Sequence, residues 1–202
     1  MITYLVIGNP STVDTALVDV YIAGNKMNTT PYSIAPGQRV FPRYGINGGP
    51  VQVVSTNGVP IFTSERTKYG NSFNEVLGYP GNKLATEYWF TSLDDASMIT
   101  YLVIGNPSTT LTAHVDVYIN GIKQNTTPYA IAPGQRVFPR YGVNSGAVRV
   151  VSDIPIFTSE RSKYLSSFNE ILGVPTNQLT TDYWFTSLDD LGMATELVIA
   201  AP

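Results

Sequence analysis

Carboxylates carry most of the potential chemistry in this sequence. Glu65, Glu75, Asp94 and Asp95 return 95 positions later as Glu160, Glu170, Asp189 and Asp190. Two such groups at the right separation can act as the acid and base of glycoside hydrolysis. The surrounding chain argues against that use, because Gly70–Thr86 is the one long connection in its copy and leaves little material for a deep cleft. The expectation is a non-enzyme without a cofactor. Asp94-Asp95 and Asp189-Asp190 are calcium candidates through their oxygen ligands. They lack a spaced DxDxDG loop, and adjacent aspartates also cap turns. The single histidine, His114, stands where the other copy has Leu17. It falls in phase with Asp116 and Tyr118, opposite Val115, Val117 and Ile119, which places it on an outer face. Triads and histidine metal sites begin with an imidazole, and one copy does without it.

Charge is scarce, so Glu65 and its neighbours stand out. Glu65 is in phase with Ile61 and Thr63, facing the interior or a sheet edge. A buried carboxylate needs a partner, and an arginine meets it bidentately. The expected structural pairs are Glu65 with Arg39 or Arg43, and Glu160 with Arg136 or Arg140. Trp89 and Trp184 are candidate glycan-stacking residues among 13 tyrosines, although aromatics in small β domains more often fill cores. Asn28-Thr29-Thr30 and Asn125-Thr126-Thr127 fit the short N-glycosylation pattern.

The elements that position these residues come in duplicate. Thr3 through Thr12 (TYLVIGNPST) returns unchanged as Thr100 through Thr109, and Ile34 through Gly45 returns as Ile131 through Gly142. Further on, Ser55-Thr56-Asn57-Gly58-Val59-Pro60 shortens to Ser152-Asp153-Ile154-Pro155, and Tyr88 through Asp95 (YWFTSLDD) returns as Tyr183 through Asp190. Within a copy, Ile2–Ile7 is a β-branched run stopped by Gly8-Asn9-Pro10. Val18, Val20 and Ile22 alternate with Leu17, Asp19 and Tyr21, the pattern of a half-buried strand. Ala35-Pro36-Gly37-Gln38 reads as a type II turn. Arg39–Arg43, Val51–Ser55, Ile61–Tyr69 and Tyr88–Thr91 read as further strands, and Ser72–Leu77 as a helical turn closed by Gly78. The fold class is all-β, with two tandem antiparallel β-sandwich (Ig-like) domains. The boundaries read 1–97 for the first, 98–192 for the second, and 193–202 for the first strand of a third repeat or a donated strand. The short link Thr91–Ser97 implies a fixed relation between the two domains.

Composition narrows the classes further. Only 13% of residues are charged against 43% hydrophobic, and the net charge is −3 with 12 basic residues spread along the chain. That excludes a nucleic-acid footprint. Absence of cysteine rules out disulfides and thiolate metal sites. No apolar run approaches the ~18–20 residues of a spanning helix, so no membrane insertion is expected. Met1-Ile2-Thr3-Tyr4 recurs as Met98 through Tyr101, so Met1 holds an ordinary strand position and the numbering is expected to begin within a longer protein or at a processed end.

In order and spacing, YWF…ITYLVIGNPST…VDVYI…YSIAPGQRVFPR…GPVQVVSTNGVPIFTSERTKY resembles tandem β-sandwich repeats of large secreted or cell-surface bacterial proteins of unassigned function. The resemblance covers nearly the whole chain and implies an extracellular structural or adhesive role; it carries over no catalytic residue. In that family's phase a domain opens with its YWF strand. Tyr88–Thr181 is then complete, residues 1–87 lack an opening strand, and Tyr183–Pro202 is spare. The expected partners are identical copies or neighbouring repeats joined head-to-tail, by strand donation along an open edge or within one array. A glycan- or cell-wall-binding adhesion module is the alternative.

Overall fold

The computed structural model describes residues 1–188, 191 and 195–201. Among them the chain is antiparallel β-sheet, with short 3-10 turns at Gly81–Lys83 and Thr176–Gln178. In the first copy the strands are β1 (Ile2–Gly8), β2 (Ala16–Ile22), β3 (Asn25–Lys26), β4 (Tyr32–Ile34), β5 (Arg39–Val40), β6 (Val51–Ser55), β7 (Phe62–Tyr69) and β8 (Ser72–Leu77). Next come β9 (Ala85–Phe90) and β10 (Leu93–Asp94). In the second copy they are β11 (Ile99–Gly105), β12 (Ala113–Ile119), β13 (Ile122–Lys123), β14 (Tyr129–Ile131), β15 (Arg136–Val137), β16 (Asn144–Ser145), β17 (Val148–Tyr164), β18 (Ser167–Leu172) and β19 (Val174–Pro175).

One sheet of the first copy runs β5-β1-β7-β8; the other joins β3, β4 and β6 to β2. The second copy repeats both patterns, adds β9 and β19 beside β17 and a β10–β16 pair, and joins its two sheets through one strand. Its β17 is continuous through both sheets, because the shortened Ser152–Pro155 link extends the strand that Thr56–Pro60 breaks in two. Apolar residues at alternate positions face inward, as period two requires. Val18 and Val20 are fully buried, as are Val115 and Val117.

Local turns follow residue chemistry. Gly37 takes φ +68° and the Gln38 N–H donates to Ala35 O at 3.0 Å, closing the type II turn. The Ser72–Leu77 segment is a strand, not the helical turn its residues suggested. Tyr69 pairs with Ser72 across a two-residue loop, and Gly70 at φ +55° supplies the left-handed position such a hairpin needs. Once that turn forms, the ladder to β7 continues to Ser64–Leu77.

The two copies also touch through this strand. Asn74 Nδ2 donates to Asn169 Oδ1 at 2.9 Å, and the Ser72 hydroxyl donates to Phe168 O at 3.1 Å. β8 and β18 are copies of one strand but meet asymmetrically: Phe168 is buried where its counterpart Phe73 is exposed, and Arg161 reaches Glu65 while Arg66 turns to Glu75. A contact that uses different surfaces of the two copies is heterologous.

Candidate functional site

The last strand of the first copy is built into the second. β9 lies between β17 and β19: Phe90 pairs with Val148, Trp89 with Arg149 and Val174, and Tyr88 with Val150 and Pro175. Tyr88 and Phe90 point into the second core and Trp89 points out. The Tyr88 hydroxyl accepts from the Ala85 N–H (2.9 Å) and donates to Ile156 O (2.8 Å). Farther along, Leu93 is fully buried in the same core. Asp95 then plugs the end of the sheet: its carboxylate accepts from Arg140 Nη2 (2.6 Å) and from the N–H groups of Thr100 (3.1 Å), Tyr141 (3.1 Å) and Gly142 (2.8 Å). Burial pushes the Asp95 carboxyl upward, but Arg140 and these amides outweigh it and hold the group below the usual carboxylate range.

The first copy has the same slot without a strand in it. β6 is hydrogen-bonded to β2 on one edge, and among the described residues no strand pairs with its other edge. Val51 is 38% exposed where its counterpart Val148 is 0%. A cavity of about 500 Å3, walled on one side by Pro107, Pro133 and Phe157 of the second copy, runs along Val51, Gln52 and Val53 of the first and is bounded there by Gly78 and Tyr79. These first-copy residues correspond to the neighbours of β9 in the second copy. A second cavity of about 430 Å3 lies beside Leu5, Ile22, Tyr44 and Gly45, where the second copy holds Leu93 and Asp95.

The chain also contains a strand matching the slot. Tyr183, Phe185 and Leu188 repeat Tyr88, Phe90 and Leu93. They are 55%, 74% and 60% exposed, against 0%, 5% and 0% for their counterparts. No strand forms over the described residues beyond Gln178, Tyr183–Phe185 included. Even so, the Thr180 N–H donates to the Tyr183 hydroxyl (3.2 Å) and Trp184 Nε1 to Asp182 Oδ2 (3.1 Å). These are the local bonds of β9, where Ala85 donates to Tyr88 and Trp89 to Glu87.

The expected ion pairs form differently. Glu65 meets Arg161 of the second copy at 3.3 Å, not Arg39 or Arg43, and Arg161 also stands 2.8 Å from Glu170. Burial raises the Glu65 carboxyl and Arg161 opposes it. Arg39 and Arg43 instead lie over the rings of Phe41 and Tyr4. Glu160 pairs with neither Arg136 nor Arg140. Arg140 is taken by Asp95, and Arg136 reaches across to Asn47 Oδ1 at 2.5 Å. Glu160 is left with Ser162 (3.5 Å) and a buried oxygen without a hydrogen-bond partner; burial pushes its carboxyl up to about 7. The displacement has one cause: strand periodicity gives the face a residue occupies, while the partner comes from the other copy or from the β9–β10 segment.

Other candidates resolve into structural roles. Asp94 accepts from the Ala96 and Ser97 N–H groups and the Ser97 hydroxyl, a turn cap. Asp189 and Asp190 lie outside the described residues, as do Met193, Ala194 and Pro202 of the expected third-repeat strand. Among the described residues no cluster of three or more acidic or histidine side chains could hold a metal. Asn28 and Asn125 are buried, each bonding to β2 or β12 through both ends of its amide, so neither is presented as a glycan acceptor. Trp89 lies under Arg149, 5.6 Å from the ring centre, with its N–H spent on Glu87 and Thr176; Trp184 is exposed. His114 sits on the outer face and meets Asp153 at 2.8 Å.

No family model, curated protein or solved structure matches this chain.

Proposed function

We propose that this chain is a structural repeat module that joins head-to-tail, the aromatic strand at the end of one unit filling the open slot of the next. The observation that carries this reading is internal to the molecule. The YWF strand fills a slot in the second copy, while the first copy has the slot empty and the tail carries the strand unpaired. Each unit is then an Ig-like β-sandwich opening on its YWF strand. The tail of a neighbouring unit completes Ile2–Leu77, whether that unit is another chain or an adjoining stretch of a longer array. The slot and the tail lie on different surfaces, and a contact that matches one to the other propagates into a filament. Absence of cysteine, low charge and the resemblance to bacterial surface repeats support an extracellular or cell-surface assembly.

Sedimentation velocity across a concentration series tests this. The wild-type chain forms end-to-end oligomers, and Tyr183→Ser with Phe185→Ser leaves a monomer of unchanged far-ultraviolet circular dichroism. A wild-type chain that stays monomeric up to millimolar concentration rejects the reading. The exposed Trp184 favours a second reading, a glycan- or cell-wall-binding adhesion module. Quenching of tryptophan fluorescence by a glycan panel, lost in Trp184→Ala, supports that alternative.

A further inference from the structure

We infer that the first copy carries a preformed carboxylate seat, made by Arg43 and the N–H groups of Thr3, Tyr44 and Gly45, that takes the aspartate side chain of a second copy's Ser-Leu-Asp-Asp segment and sets the register of the donated strand. This rests on the head-to-tail reading above.

The occupied twin of the seat defines its chemistry. In the second copy Arg140 and the amides of Thr100, Tyr141 and Gly142 converge on both oxygens of Asp95. The corresponding residues of the first copy are identical: Arg43, Thr3, Tyr44 and Gly45. Their backbone is already set for an anion. Gly45 holds φ +68° where Gly142 holds +64°. The loop is anchored the same way in both copies, Leu5 N–H donating to Pro42 O at 3.0 Å as Leu102 N–H donates to Pro139 O at 3.2 Å. Arg43 lies over Tyr4 as Arg140 lies over Tyr101. Arg43, Tyr44 and Gly45 border the open cavity of about 430 Å3 together with Leu5, beside the place a leucine equivalent to Leu93 would fill. Successive N–H groups around a left-handed glycine form an anion-binding concavity, and an arginine beside it makes the bonds charge-assisted. The sequence repeats Asp95 at Asp190. Apolar side chains at Tyr183 and Phe185 can slide along a slot by two residues at modest cost, because their faces repeat with period two. A carboxylate that fits one seat cannot, so the aspartate selects a single register.

The test titrates a fluorescent peptide spanning residues 180–202 into the full chain carrying Tyr183→Ser and Phe185→Ser, which disables that chain's own tail. Wild-type peptide binds; Asp190→Asn weakens it at least tenfold, and Asp189→Asn, which removes the same charge from the turn-capping position, changes it less than threefold. Arg43→Ala in the chain weakens the wild-type peptide to a similar extent and adds little to the loss from Asp190→Asn. Equal binding of wild-type and Asp190→Asn peptides overturns the seat and leaves strand donation standing. No binding of the wild-type peptide overturns both.

Discussion

The Tyr88 hydroxyl donates to Ile156 O at 2.8 Å, tying the closing strand of one sequence repeat into the core of the next. Its counterpart Tyr183 accepts one local N–H and stays largely in solvent. One residue type at one repeat position thus occurs both docked and undocked within a single chain.

That contrast has a direct energetic consequence. Tyr88→Ala empties a fully buried site and is expected to cost about 3–5 kcal/mol, the range for aromatic-to-alanine changes in cores. Tyr183→Ala is expected to fall within about 0.5 kcal/mol of wild type in dilute solution, as exposed substitutions do. Urea unfolding of both variants checks the difference, and equal losses would contradict it.

Asp95 ends the docked segment with a buried carboxylate that accepts from Arg140 and three amides. Asp95→Asn is expected to lose about 2–3 kcal/mol at pH 7, since bonds to an ionised group are the stronger kind. The folded carboxyl sits below its usual value. Its stabilisation is therefore present above the unfolded pKa of about 3.9 and is lost as pH falls through the folded value. The gap between wild type and variant should begin to narrow below the unfolded pKa of about 3.9 and close below the lower folded value, and a gap independent of pH would refute the assignment.

Glu160 behaves in the opposite sense. Burial lifts its carboxyl to about 7, so the folded state favours the protonated form. Stability from this group is complete below the unfolded pKa of about 4.3 and is lost as pH rises through 7. Glu160→Gln is expected to stabilise the chain by about 1–2 kcal/mol at pH 8, after allowance for solvent screening, and by nothing at pH 4. A variant less stable than wild type at pH 8 would show that the ionised carboxylate has a partner.

Leu165 occupies the left-handed position of the β17–β18 hairpin, φ +52°, where the first copy has Gly70. It is also 84% exposed. Leu165→Gly is expected to raise stability by about 0.5–1 kcal/mol, relief of the left-handed penalty exceeding the entropy glycine adds to the unfolded chain. The reverse change, Gly70→Leu, should destabilise, because a Cβ there comes within 3.0 Å of Ser166 O. Thermal melts of both variants decide this.

Much of the fold was legible because it depends on local pattern. Alternation placed Val18 and Val20 inward, Pro36-Gly37 specified its turn, and the repeat offsets exposed the YWF segment as a unit that ends one copy or opens the next. What was not legible depends on sequence-distant partners. Nothing near Glu65 announces Arg161, and nothing in Asp94-Asp95 separates the turn cap from the buried plug, since that split depends on which carboxylate meets Arg140. Ser72–Leu77 resembles a helical turn in sequence because its apolar Phe73 and Leu77 face outward, which hides the period of a strand. The Gly70-Asn71 pair ahead of it was the available hairpin signal.

Absence of cysteine makes the central claim open to a clean chemical test. In the filled slot Phe90 pairs directly with Val148, and the matching pair across a donated strand is Phe185 with Val51. Directly opposed strand residues have Cα atoms about 4.5–5.5 Å apart, within disulfide range. Chains carrying Val51→Cys alone and Phe185→Cys alone, mixed and mildly oxidised, are predicted to give a Val51→Cys/Phe185→Cys heterodimer, and the double variant a ladder of linked multimers. Pairing Phe185→Cys with Val13→Cys, an exposed site away from the slot, should give only background linkage. Equal yields from the two pairings, or no linkage from the first, would contradict strand donation.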